Sequence, residues 1–243
     1  ARLVDEIHAV LAESCDVSMY RTERREHATE LAAVASADGA TIVAVVGGDG
    51  TVAAPAAALA GSDVALLPVA GGSTNVFTRA LGWPHPARRA VPSLRRAMRA
   101  PERRQIRLGR ITTPEMEHTF CINAGFGIDA ETVQMVESHP WIKHHFRNAG
   151  FGVMAVAGAI RASRPAGAVV TIDDGTSEIF ASLIVVTGSP YAYVGSRPLD
   201  LVPGATFDGE LRWLGVHSHR ADILAAVLSG AVHADGRHLG SHG

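Results

Sequence analysis

The apolar positions along this chain follow two rhythms. Leu3, Val4, Ile7, Val10 and Leu11 recur at helical spacing, so residues 1–16 read as an amphipathic helix that belongs inside a fold. A short β-branched run at 42–46 stops at two glycines and reads as a buried parallel strand feeding a tight turn. The alanine-rich residues 52–60 read as the next helix, with Pro55 placed in or near its first turn, where a missing N–H costs least. A second apolar run at 64–70 also ends at a glycine pair, Gly71-Gly72. Residues 17–20 predict a further strand, 21–35 a helix opened by Thr22, and 87–100 an arginine-bearing helix. Composition changes near 101–104, which divides the chain into domains at 1–104 and 105–243. Beyond that point short strands dominate, at 105–111, 118–123, 169–172, 179–187 and 205–216, separated by turn signals such as Asp173-Asp174-Gly175 and Arg197-Pro198. That spacing predicts an antiparallel β-sandwich. Residues 141–162, carrying Phe146, Phe151 and Ile160, predict one amphipathic helix that interrupts it, and 221–228 a last one.

At 243 residues and 47% hydrophobic content the chain can bury one large core or two modest ones. A formal charge of -2 and a pI of about 6.7 leave no global basic field, so no nucleic-acid partner is expected. Cys15 and Cys121 stand far apart without metal-ligand or redox spacing, which fits a reducing cytoplasm. No signal-peptide pattern is present, and no apolar run reaches the roughly 18 residues of a membrane span. Arg88, Arg89, Arg95, Arg96, Arg99, Arg103 and Arg104 make one part locally basic. It reads either as a solvated helix face or as a patch for anionic lipid headgroups.

The chemistry concentrates in residues 42–79. A strand, a glycine turn and a helix aim free backbone N–H groups and the positive helix end at a guest above the sheet, and phosphate is the usual one. Asp49, between Gly48 and Gly50, adds a carboxylate that suits a magnesium ion bridging nucleotide phosphates. The second turn brings Ser73, Thr74 and Asn75, and two consecutive βα turns open on the same sheet edge. Gly125-x-Gly127-x-x-Ala130 imitates a dinucleotide fingerprint, but Asp129 sits inside the turn and no suitable helix and strand follow. The histidines at 144, 145, 217, 219, 233, 238 and 242 lie in no metal-binding frame. Asp208-Gly209-Glu210 is a tight acidic turn that a bulge or hairpin would also explain.

Gly47-Gly48-Asp49-Gly50-Thr51, followed by Pro68 and then Gly72-Ser73-Thr74-Asn75-Val76-Phe77-Thr78-Arg79, resembles the diacylglycerol kinase catalytic-domain family, which includes bacterial lipid kinases and the sphingosine and ceramide kinases. The pentapeptide alone is also similar to NAD kinases and phosphofructokinases; the second motif is not similar to the NAD kinases. The likeness continues through residues 120–130 and 207–211.

The resemblance implies an N-terminal α/β nucleotide-binding domain of the NAD-kinase and phosphofructokinase kind, followed by the β-sandwich. It implies an ATP- and magnesium-dependent phosphotransferase acting on a membrane lipid at the inner face of the membrane, diacylglycerol first and a sphingoid base or ceramide second. ATP phosphates would be held by the amides of Gly47, Gly48 and Gly50 and by the Thr51 hydroxyl, and Asp49 would orient them with magnesium. Gly72, Ser73, Thr74 and Asn75 would line the same crevice, and Thr22 would lie beside the nucleotide. Asp208, with the carbonyls of Ala205 and Glu210, is similar to a structural magnesium site. The family's opening strand would precede residue 1, and its general-base aspartate would fall past residue 243. Two positions depart from the pattern: Val76 and Arg107 stand where members with an acidic magnesium network carry aspartates. An NAD kinase, or an inactive lipid- or nucleotide-binding module, is the rival reading. A homodimer stands beside the single chain as an open alternative.

Overall fold

The computed structural model describes residues 2–24, 26–72, 74–84, 90–127, 130, 168–171, 175–194 and 196–217. The expected helices at 141–162 and 221–228, and every histidine named above except His217, lie outside the described residues. Two units emerge, Ala1–Cys121 and Ile122–Gly243. The change in composition at 101–104 falls inside the first unit.

Helix α1 (Arg2–Ala12) buries Ile7, Val10 and Leu11. They share a core with Val69 and with Ala90 and Leu94 of α5 (Ala90–Arg99). Val17 packs on the same core, yet no strand forms at 17–20, which runs as irregular chain. Helix α2 (His27–Ala37) begins later than expected, at the segment that buries Ala32. Its N-cap is Glu26, so Thr22 caps nothing and is exposed. A bidentate ion pair, Arg24 to Glu30 at 2.7 and 2.5 Å, ties the preceding segment to the helix instead.

The centre of the first unit is the parallel pair β1 (Ile42–Gly47) and β2 (Ala65–Ala70), in register from Ile42↔Ala65 to Gly47↔Ala70. Parallel neighbours need a crossover, and α3 (Asp49–Leu59) supplies it, burying Val52, Pro55, Ala56 and Leu59. Its small side chains let it lie closely along α2. Because α3 starts at Asp49 rather than at the alanine run, Pro55 sits in the second turn and not the first. There its ring removes the hydrogen bond that residue 55 would donate to the Thr51 carbonyl. A short helix α4 (Val76–Ala80) follows β2. The hairpin of β3 (Gly109–Thr112) and β4 (Glu117–Phe120) then packs β4 on α3, which keeps these strands in the first unit.

All described strand pairs of the second unit are antiparallel. A three-stranded sheet runs β11 (Arg212–Val216), β8 (Ser182–Val186), β5 (Asn123–Phe126), and β6 (Ala168–Thr171) pairs with β7 (Ser177–Phe180). The expected single strand at 179–187 is two, because the apolar run changes partner at Ala181: Phe180 pairs with Ala168 and Ser182 with Val216. The expected strand at 118–123 divides in the same way between β4 and β5. Arg197-Pro198 is not a turn; it lies in β10 (Arg197–Leu199), opposite β9 (Ala192–Val194). Pro198 fits because, among the described residues, each strand of this two-stranded ribbon has an edge that needs no donor. Residues 205–211 turn rather than extend, so only Arg212–Val216 of the expected last strand forms. Gly125 lies within β5 opposite Ile184, which excludes the dinucleotide turn.

Candidate functional site

Two glycine turns leave the same end of the parallel pair and touch backbone to backbone. The Gly71 amide donates to the Gly47 carbonyl at 2.8 Å, extending the ladder one step past β2. A Cβ on Gly72 would stand 2.7 Å from the Gly48 Cα, and one on Gly71 would stand 2.9 Å from the Gly47 nitrogen. No side chain fits between the turns. The glycines are thus required first by this close approach, whatever else they bind.

The second turn closes upon itself. Asn75 is 1% exposed and left-handed, with φ 50° and ψ 50°. Its Oδ1 accepts from the Gly72 amide at 2.8 Å, and its Nδ2 donates to the Gly72 carbonyl at 2.7 Å. Both ends of the amide are engaged inside the turn. Asparagine tolerates this backbone region better than most residues, which explains the residue type at 75. With its side chain turned back, Asn75 gives α4 no N-terminal cap.

Asp49 supplies the cap from the first turn. Its Oδ2 accepts from the Val76 amide at 3.0 Å and its Oδ1 from the Phe77 amide at 2.8 Å, while the Thr74 hydroxyl lies 3.4 Å from Oδ2. A carboxylate at the start of a helix is favoured by the orphan N–H groups and by the dipole. The bridge spans 27 residues of sequence and locks α4 to α3. Behind it lies Cys121, whose thiol is pushed up to about 12, by burial first and then by the negative charge of Asp49.

The first turn stays open. Gly48 caps α3 in extended conformation and its carbonyl accepts from the Thr51 and Val52 amides. The Asp49 and Gly50 amides have no partner among the described residues. Gly50 is exposed, and a Cβ there would meet nothing within 4 Å. Thr51, exposed, lies against Gly47, so that a Cβ on Gly47 would be 2.6 Å from the threonine Cβ. Gly71, Gly72 and Thr74 are exposed on the facing side. The result is a solvent-facing notch with unpaired donors on one wall, suited to an anion.

Residues 1–111 match the sequence profile of the diacylglycerol kinase catalytic domain. The match spans both glycine turns and the elements that carry them. Residues 1–111 are a domain of that family. No curated relative matches the sequence. Three solved structures from Bacillus anthracis str. Sterne share the fold. One, described as a diacylglycerol kinase, is 19% identical with a TM-score of 0.66, covering 96% of this chain and 73% of its own. Two described as candidate diacylglycerol kinases give 20% identity at a TM-score of 0.66 and 19% at 0.67, covering 96% of this chain and 74% and 75% of theirs. The mixed α/β fold is that of these bacterial structures, and the matched residues 1–111 carry the catalytic domain of a lipid-kinase family.

Other positions singled out from the sequence are scattered around this kinase domain or lie in the second unit. Ser73 lies outside the described residues. Thr22 is exposed and makes no hydrogen bond to a described residue. Val76, where acidic members of the diacylglycerol kinase family carry an aspartate, contributes its amide to Asp49 rather than a side chain. Arg107 is exposed in the irregular stretch before β3. In the second unit Ala205 is buried, and Asp208 and Glu210 are exposed on a turn closed by the Gly209 amide donating to the Thr206 carbonyl at 3.0 Å. Among the described residues no three His, Cys, Asp or Glu side chains gather as metal ligands. Sequence reasoning missed the Asp49 bridge. The available signal was a short helix, Val-Phe-Thr-Arg-Ala, with no local cap of its own.

Proposed function

We propose that this chain transfers the γ-phosphate of ATP to the hydroxyl of a membrane lipid, with diacylglycerol as the first acceptor and a sphingoid base or ceramide as the second. The observation that carries the proposal is the open notch at Asp49 and Gly50 within a diacylglycerol kinase catalytic domain. The phosphates of ATP would be held by the free amides of the first turn and by the Thr51 hydroxyl, with Thr74 and Ser73 on the facing rim. Thr22 would lie beside the rest of the nucleotide.

Asp49 fits magnesium only in a limited way. Both of its oxygens already accept an amide, and each keeps a further lone pair. That suits a water of an ion carried in with ATP better than direct ligation. The ion, when bound, neutralises charge on the phosphates. Asp208, with the carbonyls of Ala205 and Glu210, would supply an oxygen-only set of the kind a structural magnesium takes. We read the second unit as an antiparallel sandwich and place the protein at the inner face of the membrane, in reach of its lipid.

The test is incubation of purified protein with radiolabelled ATP and diacylglycerol in mixed micelles. Labelled phosphatidic acid supports the proposal. Phosphorylation of NAD with no lipid product would replace it with the NAD kinase reading, and nucleotide binding without turnover would point to an inactive module.

A further inference from the structure

Residues 95–118 carry seven arginines against three glutamates, a local charge of +4 in a chain whose total is -2. Most of these arginines are not engaged in holding the fold. Arg95 pairs with Glu13 at 2.7 Å, Arg103 donates to the Asp63 carbonyl at 3.3 Å, and Arg110 lies 3.5 Å from Glu117. Arg96, Arg99, Arg104 and Arg107 are exposed and have no partner among the described residues. The stretch ends in the β3–β4 hairpin, whose residues 110–118 are all exposed. Two apolar side chains stand there in water, Ile111 at 39% exposure and Met116, in the connecting turn, at 55%.

We infer that this arginine-rich stretch and the β3–β4 hairpin tip form a docking surface for an anionic phospholipid bilayer. The inference deepens the lipid-kinase reading and rests on it, since a chain whose acceptor sits in a bilayer needs a face that meets one. No described helix is long and apolar enough to cross a membrane. Unpaired arginines and exposed aliphatic side chains within one stretch of chain match a surface that is anionic at the headgroups and apolar beneath. A nucleic acid is a poorer match, because residues 95–118 contain no Phe, Tyr or Trp on which bases could stack. A second copy meeting this face would set like charges against each other.

The test is co-sedimentation with phosphatidylcholine vesicles containing phosphatidylglycerol and with phosphatidylcholine vesicles alone. The wild-type protein should bind the anionic vesicles, lose them as salt rises, and bind the neutral ones weakly. The pair R99E and R104E should weaken anionic binding by on the order of thirtyfold, from about 1 kcal/mol for each basic residue lost. The pair I111S and M116S should weaken it while leaving the salt dependence in place. Both variants should phosphorylate a water-dispersed short-chain diacylglycerol as the wild type does. Absent vesicle binding, equal binding to both vesicle types, or wild-type binding by both variants would overturn the inference. So would retention on nucleic acid, or dimerisation lost in the R99E and R104E variant, without vesicle binding. If the wild type binds anionic vesicles but never phosphorylates the dispersed substrate, the docking surface stands and the kinase reading falls.

Discussion

After β1 the chain turns at Gly47-Gly48 into α3, where the Asp49 and Gly50 amides have no partner among the described residues and no described atom crowds Gly50. After β2 it turns at Gly71-Gly72 into α4, where the Gly72 amide is taken by Asn75 and the Val76 and Phe77 amides by Asp49. The same local grammar of strand, glycine pair and helix serves two ends. One turn leaves its donors open, and the other uses its own to hold the two turns together. Asp49 joins the two roles, because it sits at the start of the open helix and caps the closed one.

The contrast can be broken most severely at Gly72. G72A places a methyl carbon against the Gly48 backbone, and we expect a stability loss of about 1–3 kcal/mol in urea unfolding together with loss of ATP turnover. Next is Asp49. D49A leaves the Val76 and Phe77 amides without their acceptor, at a cost of about 1–3 kcal/mol. D49N should recover only part of this, since a carboxamide offers one acceptor oxygen in place of two. A pure metal-binding role would instead leave the stability of both variants unchanged.

Gly50 is the opposite case. G50A meets open space and removes a helical glycine, so it should stabilise the fold by about 0.5–1 kcal/mol while raising KM for ATP if phosphate approaches that amide. The smallest effect on the fold is expected behind the bridge. Cys121, with its thiol pushed up to about 12, should resist iodoacetamide at pH 8 in the native protein and react only on unfolding, whereas exposed Cys15 stays reachable.

The parallel pair and its crossover were legible because β-branched runs that stop at glycines leave few alternatives. The α1 stripe was legible through its spacing, and Ile7, Val10 and Leu11 are buried as it predicts. What escaped depended on partners remote in sequence. Phe180 and Ser182 belong to one apolar run, and only the choice of neighbours divides it between two ladders. Pro198 carries a turn signal that a ribbon edge overrides. Thr22 looks like a cap, but the helix starts at His27 with Glu26 at its N-cap. In the site, the two glycine turns at one end of the parallel pair were legible from the motif, whereas the burial of Asn75 and the two hydrogen bonds that Asp49 accepts from α4 were not, since both arise from the second turn folding back on the first.

The most direct test follows the backbone amides of Asp49 and Gly50 by nuclear magnetic resonance while a non-hydrolysable ATP analogue is added with magnesium. The account predicts large, saturable shifts at these two amides, with the Gly72 amide, held by Asn75, moving far less. Saturable binding of the analogue that leaves Asp49 and Gly50 unmoved would contradict it.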